Sequence, residues 1–321
     1  MLSKTHTTEL EFVLLGLTSQ SELQVIFFMV FLVIYLITQV ENLGLILLIK
    51  TDSLLHTPMY FFLSHLSFVD LCYSTNLSPQ MLVHFLSEKM TISSAGCFMQ
   101  FLFFIGLVIT EFYILAAVAV DRFVANCYLL QYGSKMSKNA CLCLVAVPYT
   151  FDLLNGLFQT VVTFHLSFCS SKTINNFYCA DPPLIMLSCS DTYIKEMTMF
   201  IVAGFTVSSS LLIILISYIL ILAAILRICF AEGRHRAFST CDSRETAVII
   251  FSGTLFSIYL RRPSKQSLAD SKIIAVFYSF VSPIFNPLIY SLRNKDVIDA
   301  LKKVTMRKLL NQMAGSMSAI F

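Results

Sequence analysis

Charge is what this sequence has least of. Asp, Glu, Lys and Arg make up only 13% of its 321 residues, tryptophan is absent, and 57% of the chain is hydrophobic with a mean hydropathy of +0.77. That balance lies outside the range of soluble domains and implies a chain embedded in a membrane. Other absences narrow its chemistry. The six histidines are scattered, none at metal-ligand spacing to a second His or Cys, and no phosphate loop or nucleophile elbow occurs. Neither an enzyme nor a metal or other cofactor is therefore expected, and no nucleic-acid partner. There is no low-complexity tract, no inverted repeat of the kind many transporters are built on, and little of the intramembrane charge that ion pathways carry. Residues 1–22 lack the basic start and apolar core of a cleaved signal peptide, so the first apolar run is expected to serve as the insertion signal.

What the chain does have is length of apolar sequence. A bilayer core about 30 Å thick is crossed by roughly 20 apolar residues in a helix. Seven such runs occur, near Val25–Ile49, Pro58–Met81, Phe98–Val120, Ala140–Val162, Thr198–Leu226, Ala237–Leu260 and Ser271–Leu292. A lone segment in lipid must satisfy its backbone internally, which selects helices over strands. The expected fold class is thus an all-α membrane protein, a seven-transmembrane helix bundle forming a single domain over 1–321. The sixth run begins "AFSTCDSRETA", where Asp242, Arg244 and Glu245 leave only about fifteen lipid-compatible residues, so its inner end is expected to project into the cytosol.

Seven crossings put the chain ends on opposite sides. Of the 22 Lys and Arg, 14 share one side, among them Lys50, Arg122, Lys138, Arg234, Arg236 and Lys303, against 8 on the other. The positive-inside bias makes the richer side cytosolic. Residues 1–22 then form an outer tail, 163–197 a long outer loop and 293–321 a cytosolic tail. The tail sequence "RNKDVIDALKKVTMRKLL" interleaves apolar and basic residues, as a short amphipathic helix on the inner membrane surface would, with a disordered basic tail as the alternative. Cys97, Cys169, Cys179 and Cys189 fall on the outer side, where disulfides persist, and allow three pairings.

Polar residues inside such spans need partners. Asn42, Asp70, Glu111 and Asn286 interrupt apolar helices and are expected to face the interior, as static helix–helix contacts or as a network that changes between states. Pro287 removes a backbone donor from the seventh helix and marks a place to bend. Asp121 and Arg122 stand where the third span emerges; they are either ordinary boundary charges or an inner-face switch whose arginine exchanges partners as helices shift. Phe104, Ile105, Val108 and Ile109 recur at helical spacing, a pattern that fits a ligand wall, bundle packing or lipid contact equally.

The motifs taken together decide several of these. "LHTPMYFF" (55–62), "MYFFLSHLSFVDLCYS" (59–74), "AVDRF" (119–123), "SY" (217–218), "RAFSTC" (236–241) and "PIFNPLIYSLRN" (283–294) occur in order, each at the expected end of its span. With the loop cysteines, the set resembles the odorant receptors, a branch of the rhodopsin-like G-protein-coupled receptors, from Glu11 to about Lys308. The resemblance implies a small volatile odorant, a heterotrimeric stimulatory (olfactory) G protein, rising cyclic AMP, and a multi-pass protein in the plasma membrane lipid of olfactory cilia. It also implies the bridges Cys97–Cys179 and Cys169–Cys189. An activation switch is implied at Asp121, Arg122, Tyr218, Arg236, Asn286, Pro287 and Tyr290. The implied ligand wall comprises Phe104, Ile105, Val108, Ile109, Val202, Thr206, Ser252, Leu255 and Tyr259. The rival readings are a seven-helix receptor for a non-olfactory small molecule and a membrane transporter.

The chain departs from the family pattern at several places. Val120 and Phe123 replace tyrosines beside Asp121-Arg122, Asn126 an aliphatic residue, Leu129 a proline, Arg244 a histidine and Ser252 a tyrosine, while Asp152 adds an acid to the fourth span. The segment before the first span contains no Asn, so the customary glycosylation site is missing. Glu41 stands where the family has glycine, and an unpaired carboxylate within a span costs several kcal/mol. Glu41→Gly is therefore expected to raise the amount of protein at the cell surface, measured by surface staining; unchanged staining would contradict this.

Overall fold

The computed structural model describes residues 11–17, 20–87, 90–168, 172–226, 272, 276, 279–280, 282–291, 296–304 and 306. The long helices are α1 (Ser21–Thr51), α2 (Pro58–Leu86), α3 (Ser94–Cys127), α5 (Lys138–Phe164) and α7 (Tyr193–Leu226), with the single turn α4 (Tyr132–Lys135) and the short α6 (Asp181–Ile185) between them. Helix α8 (Ser282–Ser291) lies in the seventh predicted span. The sixth, Ala237–Leu260, falls outside the described residues.

Each of the first five predicted spans sits inside its helix, and every one of these helices runs past the apolar stretch at one end or both. At 1.5 Å per residue, the 31 residues of α1 reach about 46 Å, more than a bilayer's hydrocarbon thickness. Local chemistry sets the starts. Pro58 opens α2, where its missing N–H costs nothing. The hydroxyls of Ser93 and Ser137 accept from the amides of Gly96 and Ala140 and cap α3 and α5.

By length and composition, four described helices suffice to cross a membrane: α1, α3, α5 and α7. Helix α2 is less apolar, because His65, Asp70, Asn76 and His84 interrupt it. Helix α3 forms the axis of the bundle: 72% of its apolar window is buried, against 28% for α5 and α7 and 11% for α1. It packs on α2, α5 and α7, while α1 packs on α2 and α8. The α3–α5 contact is backbone to backbone. A Cβ at Gly156 would lie 3.3 Å from the Gly106 Cα and the Leu102 carbonyl oxygen, the close approach that small residues permit between spans.

Two intramembrane acids are held differently, although each keeps one buried oxygen without a partner. Asp152 is fully buried and its Oδ2 accepts from the Thr110 amide at 2.9 Å and hydroxyl at 2.5 Å, which ties α5 to α3. Glu41 has a buried Oε2 with no hydrogen-bond partner. Its neighbour Asn42 has a defined task. Pro287 cannot donate to the carbonyl of Pro283 four residues earlier, as a helix otherwise would. Asn42 Nδ2 supplies the missing donor at 2.9 Å and donates to the Thr38 carbonyl as well, joining α1 to α8.

One end of the bundle carries a small sheet that the span pattern does not announce. Strand β1 (Glu11–Leu14) pairs antiparallel with β2 (Met90–Ser93), in the register Glu11↔Ser93 to Leu14↔Met90, and parallel with β3 (Thr173–Ile174), giving the order β2-β1-β3. Residues 11–14 are thus ordered structure rather than tail. Phe12 and Leu14 alternate inward and pack with Phe101, Ile174 and Leu184 around the Cys97–Cys179 disulfide. Cys189 is also disulfide-bonded; Cys169 lies outside the described residues. Cys72, Cys127, Cys141 and Cys143 are free. This assembly, with the loop carrying β3 and α6, forms a lid. At the other end residues 296–304 are helical, with Val297 and Ala300 buried and Asp296 accepting from the Tyr60 hydroxyl at 3.2 Å.

Gly16, just after β1, has φ of 66°, and a Cβ there would stand 1.9 Å from the His84 ring. The left-handed conformation alone costs a side-chain-bearing residue about 1–2 kcal/mol. Gly16→Ala is expected to lower the thermal midpoint of the purified protein, and an unchanged midpoint would show that β1 is not seated this way. Asn42→Leu would leave the Pro283 carbonyl without a donor, costing roughly 1–3 kcal/mol. The same measurement is expected to show a loss of a few degrees, and a stable variant would contradict the α1–α8 link.

Candidate functional site

Three places gather polar groups inside this apolar frame: a cavity under the lid, a carboxylate pair in mid-bundle, and the end of the bundle where α3 meets α4. The cavity lies between α3, α5, α7 and α6. Ile105, Val108, Ile109 and Phe112 line it from α3, and Met199, Val202, Ala203, Thr206 and Val207 from α7, one face of each helix by its three- and four-residue spacing. Five of the residues singled out in the sequence therefore share one wall: Ile105, Val108, Ile109, Val202 and Thr206. Phe104 does not. It turns to Tyr73 of α2 and to Tyr178 of the lid, with ring centroids at 5.3 and 4.8 Å, because its position on α3 is rotated away from that wall. Ser252, Leu255 and Tyr259 lie outside the described residues.

Asp181, which lines the cavity, belongs to a buried ion pair. Lys195 at the start of α7 stands 3.1 Å from Asp181 Oδ1, the two side chains being 1% and 3% exposed. Lys195 Nζ also donates to Gln159 Oε1 at 2.6 Å and to the Gln159 carbonyl at 3.2 Å, and the Thr163 hydroxyl donates to Asp181 Oδ1 at 3.1 Å. Burial pushes the Asp181 carboxyl above its ordinary value, and the Lys195 ammonium and Thr163 hydroxyl draw it back. A buried pair holds only when such added hydrogen bonds offset its desolvation, and here two helices and the lid supply them. Three cavity groups remain unpaired and buried: Asp181 Oδ2, Asn155 Nδ2 and Thr206 Oγ1. Asn155, Gln159 and Asp181 are absent from the sequence-derived set. A signal existed in the fourth span, where Asp152, Asn155, Gln159 and Thr163 recur every three or four residues and mark an inward polar stripe.

In mid-bundle, Asn286 Nδ2 reaches Asp70 Oδ1 and Oδ2 at 3.3 and 3.2 Å and Glu111 Oε1 at 3.2 Å, and the Ser282 hydroxyl donates to Glu111 Oε1 at 3.1 Å. Helices α2, α3 and α8 meet on one amide. Asn42 reaches this cluster only through the α8 backbone, one turn before Asn286. Two carboxylates sharing one amide in a low dielectric repel strongly, so a proton or a counter-ion must accompany them.

At the opposite end from the lid, Asp121 is 1% exposed and accepts from the Tyr132 hydroxyl of α4 at 2.7 Å. Burial, then the Asp121 carboxylate, push the Tyr132 phenol well above its ordinary value. Arg122 lies against the Met59 sulfur of α2, and among the described residues no ion pair joins it to Asp121. Successive positions on a helix point about 100° apart, so the adjacent acid and base face different neighbours. Tyr218 packs partly buried on α7, and α7 meets the end of α3 where the Cys127 thiol approaches the Leu220 carbonyl at 4.0 Å. Leu129 and Leu130 project beside them, 78% and 101% exposed. Pro287 is buried in α8. Arg236 and the Tyr290 side chain lie outside the described residues. A larger groove of ≈ 860 Å³ runs between α1, α2 and α5, with Phe61, Phe68 and Leu142 along it and Lys50 and Lys138 at its edge; it shares no residue with the lid cavity.

Comparison with known proteins places the sequence in one family. The sequence model described as "Olfactory receptor" matches residues 31–308. Over 314 residues the chain is 63% identical to Olfactory receptor 5M10 of Homo sapiens and 62% identical to Olfactory receptor 5M1 of Homo sapiens, spanning 98% of this chain and the full length of each relative. It is 59% identical to Olfactory receptor 5M5 of Mus musculus over 312 residues, 97% of this chain and 98% of that one. The chain belongs to the olfactory receptor family, seven-helix, multi-pass plasma-membrane receptors that sense odorants and couple to G proteins rather than catalyse a reaction.

Proposed function

We propose that this receptor binds a small volatile odorant in the cavity beneath the lid, with the lid outside the cell, and couples at its Arg122 end to a stimulatory olfactory G protein that raises cyclic AMP. The observation that carries the reading is the continuity of α3. One buried helix bears the cavity wall at Ile105–Phe112, the Glu111 contact to Asn286, and the Asp121-Arg122 pair. A ligand shifts the equilibrium between two arrangements only by its differential affinity for them. A rotation or shift of α3 driven at the cavity changes the Asn286 contacts and the placement of Arg122 together. Pro287 lets α8 bend next to Asn286.

The other end has the chemistry of a docking face. Its basic residues fit the cytosolic side by the positive-inside bias. Leu129 and Leu130 present apolar surface that a partner protein can cover. Arg122, resting on Met59 rather than on Asp121, is free of its adjacent acid and available to Tyr218 or the G protein when helices move. The olfactory cilium is the membrane this reading places it in, and the basic, partly apolar helix at 296–304 suits the inner lipid surface. Arg122→Ala is expected to abolish ligand-evoked cyclic AMP while surface staining stays normal. A normal response from that variant would remove Arg122 from the mechanism.

A further inference from the structure

We infer that the lid cavity selects odorants bearing a hydroxyl group, small alcohols and phenols whose oxygen donates to Asp181 and accepts from Asn155. The inference rests on the cavity being the odorant site, as proposed above, and names the chemistry that the site takes.

The cavity lining is apolar except at a few points, and three of those points have unmet hydrogen-bonding capacity. Leaving such a group buried and unpaired costs about 1–3 kcal/mol. Natural interiors hold few of them, and each asks for a reason. Two of the three are complementary: Asn155 Nδ2 can only donate, and Asp181 Oδ2, on a carboxylate whose other oxygen is held by Lys195 and Thr163, can only accept. The clamp fixes the direction of Oδ2, since turning the carboxylate would break both contacts of Oδ1.

Position brings the two together. Asn155 stands one helical turn before Gln159, and Gln159 holds the same Lys195 ammonium that holds Asp181. Asn155 and Asp181 also line this one cavity, so a single ligand oxygen lodged between them can meet both groups. Apolar residues, Val108 and Val202 among them, then receive the hydrocarbon body, and the Thr206 hydroxyl, one turn beyond Val202 on α7, serves any second oxygen.

A hydroxyl suits this arrangement because it donates and accepts on one small atom. Ethers, esters and ketones only accept; they satisfy Asn155 but set their lone pairs against the Asp181 carboxylate. A carboxylate ligand is repelled by the same group, an ammonium ligand by Lys195, and a hydrocarbon satisfies neither atom. Sites that hydrogen-bond a substrate hydroxyl reject the analogue lacking it far more strongly than apolar pockets reject a change in size.

The test uses the full-length receptor at the cell surface with a cyclic AMP reporter, and compares n-octanol with methyl n-heptyl ether, methyl hexyl ketone and n-octane, and p-cresol with its methyl ether. The hydroxyl compounds are expected to be at least about tenfold more potent than their partners, a difference of about 1.4 kcal/mol. Asn155→Leu is expected to bring the alcohol-to-ether ratio towards one, and Asn155→Gln to keep part of it. Ethers or ketones as potent as the alcohols, or discrimination unchanged in Asn155→Leu, would overturn the hydroxyl assignment and leave the receptor reading intact. Silence of the surface-exposed receptor towards every compound would instead count against the odorant and cyclic AMP reading.

Discussion

Within hydrocarbon, a polar side chain has only the protein to bond with, and this chain meets that constraint most sharply where Asn286 lies between Asp70 and Glu111. Three helices that are distant in sequence are held to one amide, and each carboxylate makes the other costly. An arrangement of this kind has few alternatives of similar energy, so it fixes the rotation of α2, α3 and α8 about their axes. Asn42 extends the constraint to α1 by taking the carbonyl that Pro287 leaves without a donor. The bend that proline permits is therefore held by a side chain rather than by the helix itself.

The rest of the molecule repeats the same solution with other groups. Asp152 of α5 is housed by Thr110 of α3, and Asp181 of the lid by Lys195 and Thr163. These contacts converge on α3 and on the lid, so the cavity wall, the polar core and the Arg122 end are positioned by one helix. Helix α3 is thus a buried strut whose two ends and middle carry different partners. The solution is incomplete at three carboxylates, since Glu41, Asp152 and Asp181 each keep one buried oxygen without a hydrogen-bond partner.

Much of this was legible in the residues. Spans are written in length and apolarity, and the interior positions of Asp70, Glu111 and Asn286 follow from the cost of charge in lipid. What the residues left open was direction. Phe104 and Ile105 are adjacent and equally apolar, yet one meets the lid and α2 while the other lines the cavity, a distinction that needs the rotation of α3. The pairing of β1 was hidden because four residues carry little periodicity and their partners lie far along the chain. The Asp121 contact with Tyr132 depends on how the turn after α3 folds back, which no spacing states. The polar stripe of α5 was legible and marks Asn155, one of the unmet groups of the cavity.

A double-mutant cycle on Asp70 and Asn286 tests the central contact most directly. Asp70→Ala, Asn286→Ala and the double variant would be compared by equilibrium unfolding of the purified receptor. A coupling of about 1 kcal/mol or more is predicted, since residues in one hydrogen-bonded network depart from additivity by that order. Effects that add to within about 0.3–0.5 kcal/mol would show that the two groups act independently, and the account of how the bundle is held would fail.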